Sequence, residues 1–207
     1  LLDFSESELS SLMDLADRLR DDLKAGTLPQ VLRNKSVALI WDAEGFRNRV
    51  AFELGVAEMG GTAIQIPGRL DEKETIEDVA AYLDNWFDAI VVRTRVHDEL
   101  LRLAASAHAP VINARTSHNH PCEVLSDLAF VRTIRGSLDG LRVAFVGEST
   151  NLCHSWFEAA ARLPIHMTQA CPQDYAVAPD FLAEISTSAT GTTHVTQDIG
   201  AALRNAD

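Results

Sequence analysis

Val37-Ala38-Leu39-Ile40-Trp41 is a run of five apolar residues, and Asp42-Ala43-Glu44-Gly45-Phe46-Arg47-Asn48-Arg49 follows it at once. A short Val/Ile/Leu-rich run of this kind reads as a parallel strand buried on both faces. The polar stretch opens a helix-like segment over 47–59. A strand feeding a helix through a short turn is the repeating unit of a parallel α/β sheet.

The unit recurs along the chain. Strand-like runs at 63–67, 89–92, 111–114, 143–146 and 165–169, with a weaker one at 194–197, alternate with helix-like segments at 74–86, 97–107, 121–135 and 151–163 and a helix beginning near Pro179. Ahead of them, Leu9, Leu12, Leu15, Ala16, Leu19 and Leu23 fall at helical spacing, and Ser5 with Glu8 forms a capping box, which predicts a helix over 5–24. Arg135-Gly136-Ser137-Leu138-Asp139-Gly140 is polar and Gly-containing. It divides the pattern into two doubly wound parallel-sheet α/β domains, 1–135 and 141–207, and the second reads as incomplete. Trp41, Trp86 and Trp156 lie in apolar periodic contexts and read as core residues.

Hydrophobic residues make up 46% of the 207, charged residues 23%, and the net charge is -12. This is an ordinary globular composition. The negative field opposes nucleic acid and anionic membrane surfaces, and no apolar run reaches the ~20 residues of a membrane span. Cys122, Cys153 and Cys171 have no CxxC spacing and read as reduced thiols of a cytoplasmic protein.

Four loops carry the candidate chemistry, and in a parallel sheet loops that follow strands share one edge. The first, with Gly45 and Arg47, leads into a helix start, where anions bind; it also reads as an ordinary turn with solvated arginines. Arg93-Thr94-Arg95 follows the run 89–92 and doubles as a solvated strand end. His118-Asn119-His120-Pro121-Cys122-Glu123 places Pro121 at the first helical position; a metal set is disfavoured because no further carboxylates or thiolates complete it. Gly147-Glu148-Ser149-Thr150-Asn151 resembles a mononucleotide turn without GxGxxG. Together they predict that Arg47, Arg93 and His120 meet at one pocket for a small phosphate or carboxylate.

The order of these motifs resembles the aspartate/ornithine carbamoyltransferase family. Arg47-Asn48-Arg49-Val50-Ala51-Phe52-Glu53, Gly60-Gly61, Arg93-Thr94 and His120-Pro121-Cys122 fall in family order, and Gly147 to Ser155 is similar to the ornithine branch. The family's Ser-Thr-Arg-Thr-Arg loop is altered here to Gly45-Phe46-Arg47-Asn48-Arg49, and its glutamine after His-Pro-Cys is Glu123. The resemblance implies transfer of a carbamoyl group from carbamoyl phosphate to an amino acid, ornithine first, without metal or organic cofactor, in a homotrimer or higher assembly. It implies Arg93 and His120 as catalytic residues, Gly45, Phe46, Arg47, Asn48, Arg93, His120 and Glu123 as carbamoyl-phosphate ligands, and Asn151 as an amino-acid ligand. The loop 69–75, with Lys73, is expected to reach a neighbouring subunit. Asp42 and Glu44 add negative charge beside the anion loop. The altered loop keeps two alternatives open: a non-catalytic paralogue that binds a ligand or partner subunit, and a transcarbamylase with another donor or acceptor.

Overall fold

The computed structural model describes residues 1–42, 45–70, 73–186 and 189–207. The elements in order are α1 (Glu6–Ala25), β1 (Ser36–Trp41), α2 (Phe46–Glu58), β2 (Thr62–Pro67), α3 (Ile76–Asp84), β3 (Ala89–Arg93), α4 (His97–Ser106), β4 (Val111–Arg115), α5 (Pro121–Arg135), β5 (Arg142–Val146), α6 (Asn151–Arg162), β6 (His166–Ala170), a 3-10 turn (Gln173–Tyr175), α7 (Pro179–Ser186), β7 (Thr192–Thr196) and α8 (Ile199–Leu203). The chain divides by contacts into two compact units, Arg18–Ser117 and Leu1–Asp17 with His118–Asp207.

In the first unit the parallel strands run in the order β2-β1-β3-β4. Successive residues of the central strands point to opposite faces. Ala38, Ile40, Ile90 and Val92 pack with Ile76, Ala80, Leu83, Leu100 and Leu103 of α3 and α4, while Val37, Leu39 and Val91 pack with Val56 and Phe52 of α2. Both faces are covered, which is why these runs are continuously apolar rather than alternating. The outer strands β2 and β4 are more exposed because each has a neighbour on one side only. Strand order reverses between β1 and β3, so their carboxyl ends, paired at Trp41 and Arg93, form the crevice where open α/β sheets take ligands.

The second unit holds the parallel sheet β5-β6-β7. Its core joins Leu9 and Met13 of α1, Val124 and Leu128 of α5, Phe157 and Ala159 to Ala161 of α6, and Ile165, Met167 and Ile185. The capping box at the start of α1 is formed: Ser5 N donates to Glu8 Oε2 at 2.8 Å and Glu8 N to Ser5 Oγ at 3.3 Å.

The tryptophans correct the sequence reading in part. Trp156 is buried and Trp41 half-buried, but Trp86 is 66% exposed. Trp86 lies beyond the end of α3, stacked on Tyr82 at 6.2 Å, so it covers a helix end rather than entering the core.

Candidate functional site

Asp42 leaves β1 and turns toward β3. Its N–H donates to the Arg93 carbonyl at 3.1 Å, and its Oδ2 accepts from Thr94 Oγ1 at 2.8 Å and from Arg95 N at 2.9 Å. Thr94 Oγ1 accepts from Val96 N at 3.2 Å and lies 3.1 Å from Glu99 Oε2. The sequence reading places negative charge at Asp42 beside the anion loop; in the structure its Oδ2 ties down the turn that carries Arg93. Glu44, the other expected negative charge, lies outside the described residues. Arg93 and Thr94 are 7% and 4% exposed.

Gly45 precedes the first turn of α2 and provides no side-chain cap, and that turn contains no acidic residue. Among the described residues no side chain caps the N–H groups of Phe46, Arg47 and Asn48, the donors a helix start leaves at the positive end of its dipole. A β-carbon at Gly45 would lie 2.5 Å from Arg93 Cζ and 2.6 Å from its Nε. The fold therefore brings Gly45 and Arg93 together, 48 positions apart in sequence. Arg47 is exposed, Asn48 is half-buried, and Phe46 is 76% exposed.

In the second unit His120 stands immediately before α5, 4% exposed. Its N–H donates to Ser155 Oγ at 2.8 Å, and its Nε2 lies 2.7 Å from Glu123 Oε2. Glu123, expected to meet the carbamoyl nitrogen, thus holds the imidazole with one oxygen. Burial pushes the neighbouring Cys122 thiol up to about 11.

Asn151 is the first residue of α6, whose start is capped by Thr150 Oγ1 accepting from Cys153 N at 3.3 Å. Ser149 Oγ lies 2.8 Å from His154 Nε2. His154 stacks on Phe181 at 4.7 Å and meets His118 edge-on at 5.3 Å. Burial, then the charge of His118, holds His154 below the usual histidine range, against the raising effects of the His118 backbone and Glu158. The sequence reading did not single out Ser149 and His154 as a pair. Its signal is a hydroxyl just before a helix cap with a histidine one turn inside the helix. A cavity of ≈ 670 Å³ in this unit is walled by Val131, Ile134, Leu141, Trp156 and Leu203; the predicted site residues lie elsewhere.

Comparisons with known proteins identify the family. The carbamoyl-phosphate-binding domain model of the aspartate/ornithine carbamoyltransferases matches residues 1–133, and the Asp/Orn-binding domain model matches residues 139–207. The chain is 43% identical over 179 residues to an ornithine carbamoyltransferase of Parafrankia sp., covering 84% of this chain and 56% of that protein. It is 34% identical to one of Anoxybacillus flavithermus, covering 100% of this chain and 68% of that one. An ornithine carbamoyltransferase structure from Pyrococcus furiosus superposes with a TM-score of 0.95 at 29% identity, over 100% of this chain and 68% of that chain. The chain thus spans between about half and two-thirds of the length of these relatives. With both domain models matched in order, and ornithine carbamoyltransferases among its relatives at 34–43% identity, the chain belongs to the aspartate/ornithine carbamoyltransferase family, on the ornithine branch.

Proposed function

We propose that the protein moves the carbamoyl group of carbamoyl phosphate to the side-chain amine of ornithine, giving citrulline and phosphate. The observation that carries this reading is the start of α2, which Gly45 leaves without a side-chain cap of its own, beside Arg93 at the β1/β3 crevice. That combination of oriented amides and a guanidinium suits a dianionic phosphate. In the reaction the uncharged amine attacks the carbonyl carbon, the bond from that carbon to the bridging phosphate oxygen breaks, and the attacking nitrogen gives up a proton.

Arg47, the α2 amides at Gly45 to Asn48, and Arg93 are the proposed ligands of the leaving phosphate. Arg93, His120 and the Asn48 amide are the proposed donors to the carbonyl oxygen as charge grows on it. Glu123 orients His120 through one oxygen and keeps the other for the carbamoyl NH2. Asn151 is proposed to bind the amino acid. Most of the acceleration would come from positioning and preorganised donors. We place the functional division at 1–135 and 141–207, the location in the cytoplasm, and the assembly as a homotrimer or higher, with the loop 69–75 reaching a neighbour; Asp71 and Glu72 of that loop lie outside the described residues.

Gly45, Phe46 and Asn48, where the family pattern has hydroxyls, favour a second reading: a non-catalytic paralogue or a transcarbamylase with another donor or acceptor. Calorimetric titration of the full-length protein with carbamoyl phosphate, followed by a citrulline assay, separates these. Binding with turnover of ornithine is expected, with loss of binding in Arg93→Ala. Binding without turnover points to another acceptor. No binding at millimolar ligand sinks the carbamoyl-phosphate reading.

A further inference from the structure

Gly45 has a φ of 165°, which is extended backbone open to any residue. Its conformation therefore does not demand glycine; the space around it does. A β-carbon there would sit 2.5 Å from Arg93 Cζ, 2.6 Å from Nε and 2.9 Å from Nη2. These are closer than any real carbon contact. The guanidinium of Arg93 occupies the volume a side chain at position 45 would need. Arg93 is 7% exposed, and the turn just beyond it is pinned by Asp42 through Thr94 and Arg95, so its base is fixed while its head rests on the loop.

We infer that Gly45 is a positioning residue for this site: by carrying no side chain it lets the Arg93 guanidinium lie flat against the start of α2, where the family pattern carries a serine. This deepens the proposed function and rests on carbamoyl phosphate being the ligand. The consequence is a different division of labour in the anion cradle. A guanidinium, presenting a planar fork of donors, takes the volume next to the helix amides that a serine side chain would fill. Any β-carbon at position 45 displaces that fork by roughly 1 Å, a shift of the size that costs up to a hundredfold in a preorganised site.

The test uses the full-length protein and four variants: Gly45→Ala, Arg93→Lys, the double variant, and Gly55→Ala as a control. Gly55 lies within α2 with nothing near its missing β-carbon. Carbamoyl phosphate affinity and its KM are measured in each, together with the Arg93 side-chain Nε resonance by NMR, assigned by its absence in Arg93→Lys. Gly45→Ala is expected to weaken carbamoyl phosphate roughly tenfold to a hundredfold, leave the KM for ornithine unchanged, and shift the Arg93 resonance. The same change in the Arg93→Lys background is expected to cost less than about twofold, and Gly55→Ala to change none of these. Wild-type affinity in Gly45→Ala, or an equal cost in both backgrounds, overturns the inference and leaves the proposed function standing. If the wild-type protein does not bind carbamoyl phosphate, the functional reading fails. The Arg93 resonance then decides the inference alone: unmoved in Gly45→Ala it is overturned, and moved it stands as positioning toward another anion.

Discussion

Arg93 keeps a full positive charge where only 7% of its surface meets solvent, and hiding a guanidinium is costly unless negative charge or acceptors surround it. The carboxylates of Asp42 and Glu99 meet at Thr94, the next residue, so the turn itself supplies part of that compensation. His154 poses the opposite problem, a titratable ring whose surroundings favour neutrality. Phe181 covers one face, His118 meets its edge, Ser149 holds Nε2, and Glu158 is the nearby carboxylate. The unfolded chain protonates this ring at its ordinary pKa of about 6.5, while the folded chain resists. Below that pH the unfolded state binds more protons, so stability falls as pH drops through the window beneath about 6.5 and is level above it. His154→Phe is expected to melt earlier than wild type at pH 7.5, having lost the Ser149 bond, but with a shallower fall between pH 6.5 and 5. Parallel curves of melting temperature against pH would remove His154 from the acid response. The residue types of the candidate site stand out in the sequence because arginine after a strand and His-Pro at a helix start are local signals. What each side chain touches mostly does not. The Gly45–Arg93 and Asp42–Thr94 contacts join positions about fifty residues apart, whereas Glu123 meets His120 at an i,i+3 spacing that is itself a local signal.

Elements were legible where one local pattern dominates. The central strands β1 and β3 read clearly because covering both faces of the sheet makes them apolar throughout, and α5 matches its expected span, 121–135, because Pro121 starts it and Gly136 in the left-handed conformation ends it. The start of β7 was displaced by two residues, since Thr192 and Thr193 carry no apolar run and their strand character comes from pairing with His166 and Met167. Gly191, just before them, shows what sets that boundary. Its N–H donates to the Ala160 carbonyl at 2.9 Å. A β-carbon there would press into the carbonyls of Ile165, Leu163 at 2.7 Å and Ala160 at 2.8 Å, all of them backbone. Backbone cannot swing aside as a side chain can. Gly191→Ala is therefore expected to destabilise by about 2–3 kcal/mol, whereas Gly55→Ala, in open space within α2, should stabilise by about 0.5–1 kcal/mol. Urea unfolding of the two variants side by side checks this; equal effects would show that crowding at the β7 entrance is not what requires glycine.

On the scale of the whole molecule, the alternation of strand and helix announced a parallel α/β protein, but periodicity does not say which helices share a core. That depends on contacts such as Arg132 reaching Asp14 and Asp17 at 2.8 and 2.6 Å, which tie α5 to α1, far upstream. The outcome is that Leu39, with no exposed surface, belongs to the core around β1 and α2, and Phe157, equally buried, to the one around α6. Each core closes within its own compact unit, so damage to one should first loosen the backbone that packs on it. Leu39→Ala is expected to cost about 2–5 kcal/mol and Phe157→Ala about 3–5 kcal/mol. Hydrogen exchange under native conditions should show the first loss concentrated in the amides of β1 to β4 and the second in those of β5 to β7, because cooperative opening follows units that share buried contacts. Either substitution lowering protection evenly across both sheets would mean that the chain opens as one body, with the two cores sharing a single stability.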